Sequence, residues 1–190
     1  VQFSASLEAV TVPALERRAG EIRPLDGSLG LAEAFALRRQ RLRTVLQEQR
    51  PDVVVVEHFP FSKWELQEEI EYLLETARRA NPVVIAIASL RDVSLRTRHE
   101  TRRAYENTVL QLLHRHFDSL LVHADPQLCQ FGDYFGASAR VTVPVFHTGV
   151  VAAPLEVLRG DTIRRRIGTD KYLVASTGGG ADGADLMPRV

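Results

Sequence analysis

Two short runs limit what this chain can fold into. Residues 52–57 read DVVVVE and residues 83–89 read VVIAIAS; between Asp52 and Glu57 and up to Ser89 every residue is β-branched or small and apolar, without the polar alternation of a half-exposed strand. Such runs suit parallel strands covered on both faces. Parallel neighbours need a long crossover between them, usually a helix. Between the runs, Leu66, Ile70, Leu73, Leu74 and Ala77 repeat at helical spacing and stop before the turn signal Asn81-Pro82. Upstream, Leu31, Phe35, Leu42, Val45 and Leu46 form a helical stripe from Leu31 to Gln49, with Pro51 just beyond. Downstream, Tyr105, Val109, Leu112, Leu113 and His116 mark a third helix and Leu120 to His123 a strand. Gln127 to Phe135 reads as a short helix ending at Gly136, and Val141 to Phe146 as a further strand. The pattern predicts an α/β fold, a doubly wound, Rossmann-like parallel sheet with helices on both faces. The first thirty residues hold Pro13, Gly20, Pro24, Gly27 and Gly30 and read mostly as loop, with one β-like piece at Ala9 to Val12.

After Gly149 the alternation changes. Residues 151–170 contain Ala152-Ala153-Pro154, Arg159-Gly160 and the basic Arg164 to Arg166, and read as a connector. A strand from Tyr172 to Ser176 then runs into Thr177-Gly178-Gly179-Gly180-Ala181-Asp182-Gly183. This predicts a first domain over 1–150, lacking its first strand, and the start of a second domain over 171–190. No strand with a glycine-rich turn precedes the first long helix, and only seven residues follow Gly183. The expectation is an internal piece of a longer protein.

Composition excludes several classes. With 24 basic and 24 acidic residues, no net charge draws the whole molecule onto nucleic acid or anionic lipid. No apolar run reaches the roughly 20 residues that cross a bilayer, and residues 1–10 have no signal-like pattern, so a cytoplasmic location is expected. Cys129 is the single cysteine, which excludes an internal disulfide and a cysteine-rich zinc site. It reads as a small buried hydrophobe.

In open parallel sheets ligands sit at the carboxyl ends of the strands. The segments to inspect are therefore Glu57-His58-Phe59-Pro60, Arg91-Asp92, His123-Ala124-Asp125 and His147-Thr148-Gly149. His58 has the chemistry of a general base or a hydrogen-bond partner for a ligand hydroxyl; the alternative is a strand-end cap over a core of Phe59 and Phe61. Arg91 and Asp92 suit a phosphate and a sugar hydroxyl respectively, or else a local ion pair. The loop after Ser176 can present backbone amides to a phosphate or pyrophosphate, and Gly178, Gly180 and Gly183 match G-x-G-x-x-G; a linker or tail is the alternative. A P-loop lysine is absent after Gly183. His114 and His116 lie near a helix end and read as structural. His99, His123 and His147 lack metal-ligand spacing, and no metal site is expected. Arg96, Arg98, Arg102 and Arg103 form a basic cluster that reads as a solvated face, with contact to anionic lipid or substrate as the alternative.

The order of RPDVVVVEHFPF, VVIAIASLRDV, DSLLVHADP, VPVFHTGVV and YLVASTGGGADG resembles that of the predicted bacterial glycosyltransferases of two-domain GT-B architecture. These are similar to the cell-wall enzymes that transfer N-acetylglucosamine onto undecaprenyl-muramoyl-pentapeptide. The resemblance spans about Arg50 to Gly183. It implies an acceptor-side domain and a nucleotide-sugar domain facing one another across a cleft, with no cofactor. It implies donor diphosphate binding by Thr177, Gly178, Gly179, Gly180 and Gly183, and an acceptor side lined around His58, Arg91 and Asp92. The implied reaction is inverting, metal-independent transfer of a sugar from a nucleotide-diphosphate sugar to an acceptor hydroxyl. The family's catalytic glycine-and-histidine turn has no counterpart after Val1, and its nucleobase-binding segments have none before Val190, so the chain alone is expected to be inactive. Two other readings stay open: a nucleotide-sugar 2-epimerase, which shares the architecture, and a non-catalytic α/β module that binds a small ligand or a protein.

Overall fold

The computed structural model describes residues 7–18, 20–91, 99–151, 165–168 and 171. The chain forms two compact units, Val1–Val151 and Ala152–Val190. In the second, residues 165–167 make a helical turn before Gly168, whose φ of 74° is a left-handed value.

The first unit opens on an antiparallel hairpin, β1 (Leu15–Arg18) and β2 (Glu21–Pro24), where the sequence predicts loop; the predicted piece at Ala9 to Val12 is not a strand. LERR and EIRP carry little apolar alternation, so the hairpin rests on other interactions. Gly20 takes the positive φ, 87°, that a tight turn requires. Arg23 donates to Glu16 at 2.6 Å, and Arg38 reaches back to the Pro13 carbonyl at 2.6 Å.

Helix α1 (Leu31–Gln49) has the limits its apolar spacing predicts. Arg50 ends it in a left-handed conformation, φ 43°, its N–H bonded to the Leu46 carbonyl. β3 (Val53–Glu57) follows, then a 3₁₀ turn at Trp64–Leu66 and α2 (Gln67–Ala80). Asn81 closes α2 and pins the turn to the next strand: its side chain accepts from the Val83 N–H and donates to the Pro51 carbonyl. β4 (Ile85–Leu90), α3 (His99–His116), β5 (Ser119–Val122), a short α4 (Phe131–Tyr134), a 3₁₀ turn at Ser138–Arg140 and β6 (Val145–His147) complete the unit. Asp118 starts β5 by accepting from the Ala86 N–H at 2.7 Å through its carboxylate, while its own N–H donates to the Ala86 carbonyl.

The four long-range strands form a parallel sheet in the order β3-β4-β5-β6. The α/β class is therefore as predicted. The order is monotonic, and this decides where the helices go. Because parallel crossovers are almost always right-handed, successive connections in one direction send their helices to the same face. The packing agrees. Val54, Val56, Ala86, Ala88, Leu90, Leu120 and Val122 point to one face and meet Leu73, Leu74, Val109, Leu112 and Leu113 of α2 and α3. Ala86, Ala88, Leu90 and Leu120 are each at most 1% exposed. Burial of a leucine there contributes roughly 1.5–3 kcal/mol. A second, smaller cluster of Leu46, Ala77 and Val84 fixes α1 against α2.

On the other face the prediction fails. Val53 is 46% exposed, Val55 55%, Ile85 48% and Phe146 55%. DVVVVE alternates between outward and half-buried residues, so β3 is a parallel strand but not one covered on both faces.

Candidate functional site at the strand carboxyl ends

The pleat that exposes Val53 and Val55 also points Glu57 to the open face. By register, Ser89 lies beside Glu57 on that face, and Leu121 and Phe146 continue it across β5 and β6. The ladder runs one residue past the regular strands, with His123 N–H donating to the Leu90 carbonyl and Thr148 N–H to the Val122 carbonyl. His123 and Thr148 therefore join the same face at its carboxyl end.

There the side chains form a line. The Ser89 hydroxyl lies 2.8 Å from His123 Nε2, and the Thr148 hydroxyl 2.6 Å from His123 Nδ1. Thr148 also donates to the Gly149 carbonyl at 3.2 Å. That bond uses its only proton, so its oxygen accepts from His123 Nδ1–H, and Nε2 is left to accept from Ser89. All bonds in the line then point one way, from Ser89 through His123 and Thr148 to the Gly149 carbonyl. With both ring nitrogens engaged, His123 orients its neighbours. Ser89 is buried at 7% exposure, which does not suit an open nucleophile.

His58 is joined to the same serine through the main chain: its N–H donates to the Ser89 carbonyl at 2.7 Å. Its φ of 69° is left-handed, a conformation uncommon outside glycine. The peptide bond that follows one residue later, Phe59-Pro60, is cis. The half-buried imidazole of His58 makes no hydrogen bond to another described residue, so its proton-accepting nitrogen is available to a ligand. Phe59 and Phe61 are core residues, as predicted. Arg91, at the end of β4, lies 3.6 Å from Glu57 across the neighbouring strand, with both side chains more than half exposed.

The structure thus brings the predicted His58 and Arg91 to adjacent strand ends. Asp92 lies outside the described residues, as do Thr177, Gly178, Gly179, Gly180 and Gly183, the strand predicted at Tyr172 to Ser176, and Arg96 and Arg98 of the basic cluster. Sequence reasoning singled out the segments holding His123 and Thr148 but missed their link through Ser89. The available signal was that each falls at or just past a strand end.

His114 and His116 are structural. His114 Nε2 accepts from the Thr142 N–H at 3.1 Å. His116 is 3% exposed, its Nε2 3.2 Å from Glu71. Burial lowers its pKa, and the nearby Glu71 opposes that shift only in part. Cys129 is half-exposed rather than buried, its Sγ 3.9 Å from Asp133. Among the described residues no group of three or more His, Cys, Asp or Glu is placed to hold a metal ion, and no helix is long and apolar enough to cross a membrane.

No protein-family model, no curated protein and no solved structure matches the chain. What the resemblance and the structure share is the α/β fold with its four-stranded parallel sheet.

Proposed function

We propose that the chain provides the acceptor side of an inverting, metal-independent glycosyltransferase that uses a nucleotide-diphosphate sugar. The observation that carries this reading is the convergence at one sheet end of an imidazole free to take a proton, His58, an exposed guanidinium, Arg91, and an anchored Ser89–His123–Thr148 line. Transfer of a sugar to a hydroxyl needs a group that removes the hydroxyl proton, and a positive charge or aligned amides for the departing diphosphate. In this reading His58 accepts the proton. Arg91 holds an anionic or polar part of the substrate. Ser89 and His123 keep the His58 backbone and the β4–β5 end in place. The donor diphosphate is assigned, by resemblance alone, to Thr177, Gly178, Gly179, Gly180 and Gly183.

The test is release of nucleoside diphosphate from UDP-N-acetylglucosamine, UDP-glucose and GDP-mannose by the full-length parent protein, with and without hydroxyl acceptors. Turnover that falls by about a hundredfold or more in His58→Ala supports the reading. Absence of both hydrolysis and transfer by the full-length parent across these donors contradicts it. An epimerised free sugar formed without acceptor moves the assignment to the 2-epimerase class. Calorimetry showing no dependence on the diphosphate moves it to a non-catalytic binding module.

A further inference from the structure

A second feature lies away from the strand ends, where the connection leaving β3 meets the first turns of α1 and α2. A cleft of about 490 Å³ opens there, lined by Phe35, Arg39, Trp64, Glu65, Gln67 and Glu68. Its volume falls in the range of small-ligand sites. Trp64 lines the cleft and is fixed in place. Its indole N–H donates to the Pro60 carbonyl at 2.6 Å, and its ring stacks on Tyr105 at 5.5 Å between centroids, tilted by 27°. Tyr105 is anchored in turn by its hydroxyl, which donates to the Phe61 carbonyl at 2.8 Å; burial pushes that phenol up to about 12, so it stays a donor. The indole itself is not buried. Here it stays 37% exposed.

The charges around it cancel. Glu65 faces Arg17 at 2.7 Å, Glu68 faces Arg39 at 3.6 Å, and Glu69 takes a two-pronged contact from Arg38 at 2.7 and 2.8 Å. A cationic ligand would need an unpaired carboxylate and an anionic one an unpaired guanidinium; this wall offers neither. What it offers is a rigid aromatic face surrounded by carboxylate, amide and guanidinium groups that accept and donate hydrogen bonds. One donor is in deficit: Arg39 Nε is buried and has no hydrogen-bond partner. A neutral ligand with one C–H-rich face and many hydroxyls satisfies all of these conditions.

We propose that this cleft is a carbohydrate-binding subsite in which a pyranose ring stacks on Trp64 and its hydroxyls bond to Glu65, Gln67, Glu68 and Arg39. The inference deepens the transferase reading by naming a sugar-bearing acceptor. It rests on that reading only for the ligand's role, not for its binding.

Trp64 is the chain's single tryptophan, so tryptophan fluorescence reports on its surroundings, and Gln67 and Glu68, which line this cleft and not the neighbouring one on the Tyr105 side, assign the signal to it. The experiment titrates the full chain with N-acetylglucosamine, glucose, chitobiose and cellobiose, with arginine amide and inorganic phosphate as charged comparators. The expected result is a saturable change with at least one sugar and none with the comparators. Glu68→Ala and Gln67→Ala, both at the cleft wall and outside the core, should weaken it about tenfold, the effect of one lost hydrogen bond. No saturable response to any of the four sugars, a response to arginine amide or phosphate instead, or a sugar response unchanged in both variants overturns the proposal. His58→Ala should lower turnover of the full-length parent and leave the Trp64 response of the chain intact, which separates failure of this subsite from failure of the transferase reading.

Discussion

The two faces of the parallel sheet are built from nearly the same amino acids and serve different ends. On one face alanine, leucine and valine lie under α2 and α3 with almost no exposed surface. On the other, Val53 and Val55 of β3, Ile85 at the start of β4 and Phe146 of β6 stand half in solvent while the central Ser89 and Ser119 are buried, and that face ends in Glu57, Ser89, His123 and Thr148. The lesson is that strand order, not strand composition, decides which face becomes core. A monotonic order with right-handed crossovers stacks the helices on one side. The polar line at the carboxyl end then belongs to the face that the helices leave open.

The comparison can be broken by substitutions that should behave differently on the two sides. The largest effect is expected from Leu120→Ala, which empties a fully buried position on the helix-covered face: about 2–5 kcal/mol of lost stability in denaturant unfolding. A loss below about 1 kcal/mol would mean that this face is not the main core.

A more controlled contrast uses one change twice. Val122→Thr puts a hydroxyl among apolar neighbours at a position 2% exposed, and should cost about 1–3 kcal/mol. Val55→Thr makes the same change on the open face and should stay within about 0.5 kcal/mol. Equal costs at the two positions would contradict the division of the sheet.

Between these two lies a pH effect on the covered side. Burial lowers the pKa of His116, so the folded chain binds its proton less readily than the unfolded chain does. Stability is then fully present above the unfolded value near 6.5 and is lost as pH falls from there through the folded value. Unfolding midpoints measured across that window should drop in the parent and drop less in His116→Gln. An identical pH profile for the two proteins would remove His116 from the account.

Much of this was legible in the sequence, for physical reasons that can be named. The stripe from Leu31 to Leu46, stopped by Pro51, has one solution, a helix, and α1 takes those limits. The strands β3 and β4 follow from β-branched runs that helices accommodate poorly. The exposed face was not legible, because four consecutive valines fit a strand covered on both sides and one covered on a single side equally well. Only the order of strands distinguishes them. The hairpin at Leu15 to Pro24 was hidden because Gly20 and an arginine–glutamate pair hold it, not an apolar pattern. The Ser89–His123–Thr148 line joins residues 34 and 25 positions apart in the chain, and only register brings them together.

That line is also where the account can be tested most directly. Long-range nitrogen-15 spectra of the histidine rings report which nitrogen carries the proton. The hydrogen-bond direction derived above predicts that His123 is the Nδ1–H tautomer, and that Ser89→Ala changes its Nε2 resonance while leaving His114 and His116 unmoved. A His123 ring protonated on Nε2, or one indifferent to the loss of the Ser89 hydroxyl, would contradict the claim that the open face ends in an ordered polar site.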